Sequence, residues 1–264
     1  FLIEQPEIVD GPGVLQKVEG NLSFKNVSLC YPETEIQALN NINLEISKGT
    51  TIGVIGNIGS GKSTFLDLIS RLYDPSEGKI ELDGKDLKEY RLEELRSFIG
   101  YVPQNAFLFS ESIEDNIRFG AVNAKEDEII EATKKAAVHK NIIEFKEGYK
   151  TLLGERGVTL SGGQIQRVSI ARVLIKDPTI LLLDDCLSAV DTDTEEEILK
   201  HLKSVSKDKT TLIVSHRISS IKHADQIIVF ENGKIVQQGK HVDLIEVKGY
   251  YKELSEKQQT DNSK

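Results

Sequence analysis

Nine consecutive residues, Gly56-Asn57-Ile58-Gly59-Ser60-Gly61-Lys62-Ser63-Thr64, hold the spacing G-x-x-x-x-G-K-[ST] at Gly56, Gly61, Lys62 and Ser63. These residue types in this order suit a phosphate. Glycines reach backbone angles closed to other residues, so successive N–H groups can converge on one anion. Lys62 would then reach the terminal phosphates of a nucleotide, and the Ser63 hydroxyl would ligate Mg²⁺. The flanks agree with the letters. An apolar run, Thr51 to Ile55, comes before, and Phe65-Leu66-Asp67-Leu68-Ile69 follows as an amphipathic helix whose N-terminal end adds positive potential. A glycine-rich turn with a solvated lysine would need neither flank.

Three more apolar runs end in residues capable of chemistry. Phe98 to Val102 leads to Pro103-Gln104, Thr179 to Leu183 to Asp184-Asp185, and Thr211 to Val214 to Ser215-His216. In an open parallel sheet, ligands sit beyond the carboxyl ends of the strands, so all four ends should face one crevice. Asp184 has the position of a Mg²⁺-coordinating acid. Taken singly, an acid after a strand is often a loop cap, and a histidine after one is often a surface residue. A further stretch, Leu160-Ser161-Gly162-Gly163-Gln164, opens a helix with Ser161 and Gln164 spaced as a capping box. Each glycine in that first turn costs roughly 1 kcal/mol relative to alanine. A structural cap does not need both, whereas a helix end that must approach an anion closely does.

The elements that must position these residues follow from periodicity. Leu22 to Leu29 and Ile42 to Ile46 alternate apolar and polar residues as half-buried strands do, and Gly78 to Gly84 reads as a strand of a small antiparallel lobe. Thr51 to Ile55 is an unbroken apolar run of the kind buried on both faces of a parallel sheet. From Ser112 to about Lys176 the pattern is helical until Asp177-Pro178 breaks it. A helix over Thr194 to Leu202 follows, and Asn232-Gly233 is a hairpin turn between strands Gln226 to Phe230 and Lys234 to Gln238. Residues 1–18 read as an extended lead-in, and the polar tail from Ser255 as frayed.

Composition sets limits. With 39% hydrophobic and 28% charged residues, the chain can bury a sizeable core. Its net charge of -9 argues against nucleic acid as a partner. Cys30 and Cys186 lack metal-ligand spacing and read as reduced thiols. No apolar stretch approaches the ~20 residues that span a bilayer. The chain contains no methionine and begins at Phe1, which suggests an excised fragment.

With the cradle, the Ile180 to Asp184 strand and Leu160 to Gln164 in this order, the sequence resembles the nucleotide-binding domain of ATP-binding cassette (ABC) transporters from about Leu22 to Tyr251. The resemblance implies an α/β fold: a P-loop NTPase core with a mostly parallel sheet, a small antiparallel β lobe and a helical subdomain inserted at about residues 105–176. It divides the chain into a linker (1–19), the domain (20–251) and a polar tail (252–264). It implies ATP and Mg²⁺ as cofactors, with Tyr31 stacking on adenine, Gln104 sensing the metal and the membrane domain, and His216 holding the γ-phosphate. Ser161 to Gln164 and the loop Ser188-Ala189-Val190-Asp191 would face the site of a second nucleotide-binding domain. Gly154-Glu155-Arg156-Gly157 resembles a segment of exporters that contacts a transmembrane domain, and the lead-in is similar to an exporter linker. Both place the chain on the cytoplasmic face of a membrane, soluble when isolated.

Two positions depart from the family pattern. Ile165 stands where a basic or polar residue is usual, and nothing in the sequence accounts for its effect. Asp185 stands where the family has the glutamate that polarises the attacking water, one methylene short. A misplacement of about 1 Å can cost on the order of 10²-fold. The expectation is a site that holds ATP and hydrolyses it slowly, in a chain that lends its intact Leu160 to Gln164 to a glutamate-bearing partner. The alternatives are a homodimer with two slow sites and a non-hydrolysing nucleotide-gated module. A small-molecule kinase would have no use for Ser161-Gly162-Gly163, and a DNA-repair ATPase would carry long heptad arms, which are missing here.

Overall fold

The computed structural model describes residues 8–13, 17–154, 157, 159–205 and 208–261. Strands β1 (Leu22–Cys30) and β2 (Gln37–Ile46) precede β3 (Thr51–Gly56), which runs through the cradle into helix α1 (Lys62–Ile69). Next come β4 (Glu77–Leu82), β5 (Lys85–Asp86), α2 (Leu92–Ser97) and β6 (Ile99–Val102). Helices α3 (Ile113–Arg118), α4 (Glu126–Lys135), α5 (His139–Ile143) and α6 (Gly162–Leu174) form the helical insertion. The remainder is β7 (Ile180–Asp184), α7 (Thr192–Val205), β8 (Thr210–Val214), α8 (Ile218–Ile221), β9 (Gln226–Glu231), β10 (Lys234–Gly239), α9 (His241–Leu244) and α10 (Tyr250–Asp261).

The strands form two sheets. One is antiparallel, in the order β2-β1-β4-β5; the other has six strands in the order β10-β9-β3-β8-β7-β6. Every neighbour in the larger sheet is parallel except β10, which closes its edge as a hairpin with β9. The cradle strand thus lies in the middle, and the ends of β3, β6, β7 and β8 emerge on one edge. The fold class matches the sequence expectation, and β2 extends several residues further toward the N-terminus than the periodicity suggested.

Strand periodicity explains why the sheet can be central. On β7, Ile180 and Leu182 enter one hydrophobic core while Leu181 and Leu183 enter the other; on β9, Ile228 and Phe230 oppose Ile227 and Val229 in the same way. One core joins the sheet to α1 and the antiparallel lobe, and the other joins it to the helical insertion. An apolar run with both faces buried is what such a strand requires. The Asn232-Gly233 turn has positive φ at both residues (48° and 73°), the backbone a two-residue hairpin of this hand demands.

Two expectations need correction or refinement. Residues 255–261 are not frayed. Helix α10 continues to Asp261, with Tyr251 wholly buried and Ser255 5% exposed. The inward-facing stripe of Tyr251, Leu254, Ser255 and Gln258 is half polar and is held in part by hydrogen bonds of Tyr251 and Gln258, so hydropathy patterning does not reveal it. The described part of the lead-in is anchored: Gly11 and Gly13 donate backbone N–H bonds to the carbonyls of Tyr90 and Glu89 (3.1 and 2.8 Å). Buried Arg71 donates to the Val9 carbonyl at 3.1 Å. Of the exporter-like segment, Glu155 and Arg156 lie outside the described residues.

Candidate active site at the strand ends

The cradle is a turn held from behind. Gly56 has φ 156° and Gly61 φ 99°, and a Cβ at Gly61 would come within 2.6 Å of the Ala38 carbonyl oxygen. The loop touches the β9–β10 turn, where the Gly233 N–H donates to the Ser60 carbonyl at 3.1 Å and the Asn40 N–H to the Gly233 carbonyl at 2.8 Å. Glycine at these positions follows from neighbouring backbone as much as from any ligand. The buried Lys62 ammonium donates to the Gly56 and Asn57 carbonyls at 2.9 and 2.7 Å, and its pKa is lowered by burial although Asp184 and Asp185 oppose the shift. Ser63 and Asn57 are exposed beside it, while Ser60 and Thr64 are buried.

Strand β7 brings two carboxylates to this edge. Asp184 is buried, and burial raises its pKa, with the neighbouring Asp185 adding to the rise; hydrogen bonds from the Ser63 and Tyr101 side chains and the charge of Lys62 work against it. Asp185 is half-buried and is also shifted upward, first by burial, with His216 and Lys62 opposing. His216 lies close enough to favour the charged Asp185 carboxylate, the Asp185 N–H donates to the Val214 carbonyl at 3.0 Å, and Gln104 Nε2 lies 3.5 Å from Asp185 Oδ2. Asp185 has φ 43°, a left-handed conformation that aspartate tolerates better than most residues. Strands β3, β6, β7 and β8 therefore deliver Lys62, Ser63, Gln104, Asp184, Asp185 and His216 to one place, as the strand-end argument predicts.

Tyr31 stands beside the cradle. Its hydroxyl is 2.9 Å from Thr64 Oγ1 and its ring meets Tyr73 edge-on at 5.1 Å. Ser161 to Gln164 forms the predicted capping box: the Gln164 N–H donates to Ser161 Oγ at 3.2 Å and the Ser161 N–H to Gln164 Oε1 at 2.9 Å. Among the described residues no hydrogen bond links these four to residues 56–64. Their neighbour is instead the loop after β7. A Cβ at Gly163 would lie 2.8 Å from the Ala189 carbonyl oxygen, whereas one at Gly162 would make an ordinary 3.6 Å contact. A structural cap does not need both glycines, and packing accounts for only one of them: Gly163 sits against Ala189, while Gly162 has room. Asp191 accepts the Thr194 N–H at 3.0 Å and opens α7.

Several residues went unnoticed in the sequence. The Tyr101 hydroxyl donates to Asp67 Oδ1 at 3.0 Å and reaches Asp184 Oδ2 at 3.5 Å, joining α1 to β7. Burial raises the pKa of Asp67 as well. Asp67 could have been found, because it lies four residues after Ser63 on the same helix face. Gln166 on α6 bonds Ser188 Oγ at 3.3 Å and the Ala189 N–H at 3.1 Å. Arg217 pairs with the buried Glu195 at 2.6 Å and donates to the carbonyls of Ser188 and Val190. Together these tie the loop 188–191 to both α6 and the segment after β8.

Ser63, Gln104 and Asp184 offer hydroxyl, amide and carboxylate oxygens, a donor set for a hard cation. The carboxylates of Asp184 and Asp185 both act on the Lys62 ammonium. Mg²⁺ held through one or two carboxylates plus phosphate oxygens fits this arrangement better than an all-protein cage, and among the described residues no cluster of three or more His, Cys, Asp or Glu is placed to form one.

The ABC transporter ATP-binding protein YknU of Bacillus subtilis is 48% identical over 263 residues, which are 99% of this chain and 45% of that protein. ABC transporter B family member 13 of Arabidopsis thaliana is 45% identical over 93% of this chain and 20% of its own length. The structure of a bacterial Atm1-family ABC exporter with ATP bound superimposes with a TM-score of 0.90 at 38% identity, covering 96% of this chain and 45% of the other. This chain therefore spans less than half the length of each of these relatives. No described helix is long and apolar enough to cross a membrane. The sequence pattern of the family described as ABC transporter matches residues 39–188, more than half of the chain, and the chain belongs to that family.

Proposed function

We propose that this chain is the ATP-binding cassette of an exporter: it grips Mg·ATP, dimerises head to tail with a second nucleotide-binding domain, and hydrolyses its own nucleotide slowly. In this reading Gly56 to Thr64 hold the phosphates and Tyr31 stacks on adenine. Ser63, Gln104 and Asp184 hold Mg²⁺, and His216 holds the γ-phosphate. Ser161 to Gln164 and Asp191 serve the partner's site. Residues 1–19 link to a transmembrane domain, residues 20–251 form the cassette with its helical subdomain at about 105–176, and the complex works at the cytoplasmic face of a membrane. A heterodimer with a glutamate-bearing partner suits this chain best, since its Ser161 to Gln164 helix start is well formed while its own carboxylate is short.

The observation that carries the slow-site reading is the Asp185 carboxylate itself, one methylene shorter than glutamate, on a left-handed residue and 3.5 Å from Gln104 Nε2. Phosphoryl transfer leaves the protein mainly positioning and electrostatics, so reach decides. Phosphate release from Mg·ATP, measured for the chain alone, as Asp185→Glu, and mixed with a glutamate-bearing cassette, tests it. A rise of about 10²-fold on Asp185→Glu is expected, together with a small loss of stability because glutamate tolerates left-handed φ less well. Equal turnover in the two proteins sinks the slow-site reading. Ser161→Arg should silence the partner's site and leave ATP binding at Lys62 intact.

A further inference from the structure

The turn that carries His216 is held by a residue far away in sequence. Gln258, on the last helix, donates through Nε2 to the His216 carbonyl at 2.7 Å and accepts the Ile218 N–H on Oε1 at 2.9 Å. The intervening Arg217 N–H goes to Ser215 Oγ at 3.0 Å, and the strand end just before the turn meets Asp185, whose N–H donates to the Val214 carbonyl at 3.0 Å. One face of the turn therefore touches the catalytic edge and the other touches α10. A single amide side chain satisfies backbone groups on both sides of Arg217, as a neighbouring strand would. Helix α10 is itself seated by wholly buried Tyr251, whose hydroxyl lies 2.8 Å from His241 Nδ1, and by Ser255.

We infer that Gln258 is a positioning residue for the ATPase reaction, setting the His216 turn against Asp185, and that the seating of α10 thereby controls the site. Nothing covalent is involved: the turn has two polar backbone groups that would otherwise seek water, and in exchanging Gln258 for water it gains freedom to move. The inference rests on the reading of the strand-end site as an ATPase centre. A displacement of the turn by about 1 Å is the scale at which turnover falls by one to two powers of ten.

Two variants of the full chain test it. Gln258→Met keeps the side-chain volume and removes both hydrogen bonds; Gln258→Glu keeps the acceptor for Ile218 and sets a carboxylate against the His216 carbonyl. Hydrogen–deuterium exchange over residues 210–222 without nucleotide should quicken about tenfold in both, and kcat for ATP should fall about tenfold while KM stays within about twofold. The thermal midpoint should move by no more than about 3 °C. Unchanged exchange and unchanged kcat in Gln258→Met overturn the inference, as does a loss of kcat matched by a collapse of the midpoint in both variants. If wild type and Asp185→Glu alike release no phosphate, the ATPase reading fails, and the exchange measurement still decides whether Gln258 holds the turn.

Discussion

The two glycines at the start of α6 should separate structure from function when each is replaced by alanine. At Gly162 the added methyl meets only the Ala189 Cβ at 3.6 Å, an ordinary contact, so the helix gains roughly 1 kcal/mol of propensity. At Gly163 it would stand 2.8 Å from the Ala189 carbonyl oxygen, on backbone that the Gln166 side chain and Ser188 already hold in place. Overpacking of this kind costs about 1–3 kcal/mol, which exceeds the propensity gain. For a domain of this size 1 kcal/mol shifts the midpoint by about 2–4 °C. Gly162→Ala is therefore expected to melt about 2–3 °C above wild type and Gly163→Ala several degrees below it, measured by differential scanning calorimetry without nucleotide. The second half of the experiment uses the mixed assay with a glutamate-bearing partner. If Gly162 is glycine so that the partner's phosphate can come close, Gly162→Ala loses partner-site turnover by more than about tenfold despite its higher midpoint. A Gly162→Ala protein that is destabilised like Gly163→Ala, or that supports full turnover, refutes the reasoning.

Two further outcomes follow from the charges. Burial raises the pKa of Asp184, so between its unfolded value of 3.8 and its higher folded value the folded state binds more protons, and stability falls as pH rises through that window. Asp184→Asn, without Mg²⁺ or nucleotide, should therefore raise the midpoint more at pH 7.5 than at pH 4, and a difference of the opposite sign would contradict the burial account. Asp83 behaves in the opposite way: burial pushes its pKa up, but N–H donors from Glu19, Gly20 and Asn21 outweigh that and leave it lowered. Its contribution is present above pH 3.8 and lost as pH falls through the folded value. Asp83→Ala should cost about 1–2 kcal/mol at pH 7 by chemical denaturation, less at pH 3.

The fold was legible wherever apolar runs met strand ends. Thr51 to Ile55, Ile180 to Leu183 and Thr211 to Val214 announce buried parallel strands, and their termini announce the site, because periodicity and chemistry share the same few residues. Gly162 was legible as an oddity that cap geometry does not explain. The bracing of the site was not. Tyr101 reads as one more apolar strand residue until its hydroxyl is placed between Asp67 and Asp184. Gly163 is required by Ala189, and Gln258 serves backbone groups about forty residues earlier; partners so distant leave no local pattern. The tail misled for the same reason, since α10 is seated by hydrogen bonds as much as by an apolar stripe.

The sheet order also sets when the cradle can be finished during synthesis. Strand β3 pairs only with β8 and β9, and the cradle's first glycine lies against the backbone of Phe230. A nascent chain that has just made Gly56 must wait for about 175 more residues, roughly ten to thirty-five seconds of translation at ordinary rates, before the strands on either side exist. Over that interval an unpaired, largely apolar strand is available to wrong partners. The antiparallel lobe, whose strands all lie within residues 22–86, can form meanwhile. Truncations ahead of residue 231 would then leave a folded lobe attached to a cradle without walls, and chaperone dependence should drop sharply once β9 has emerged.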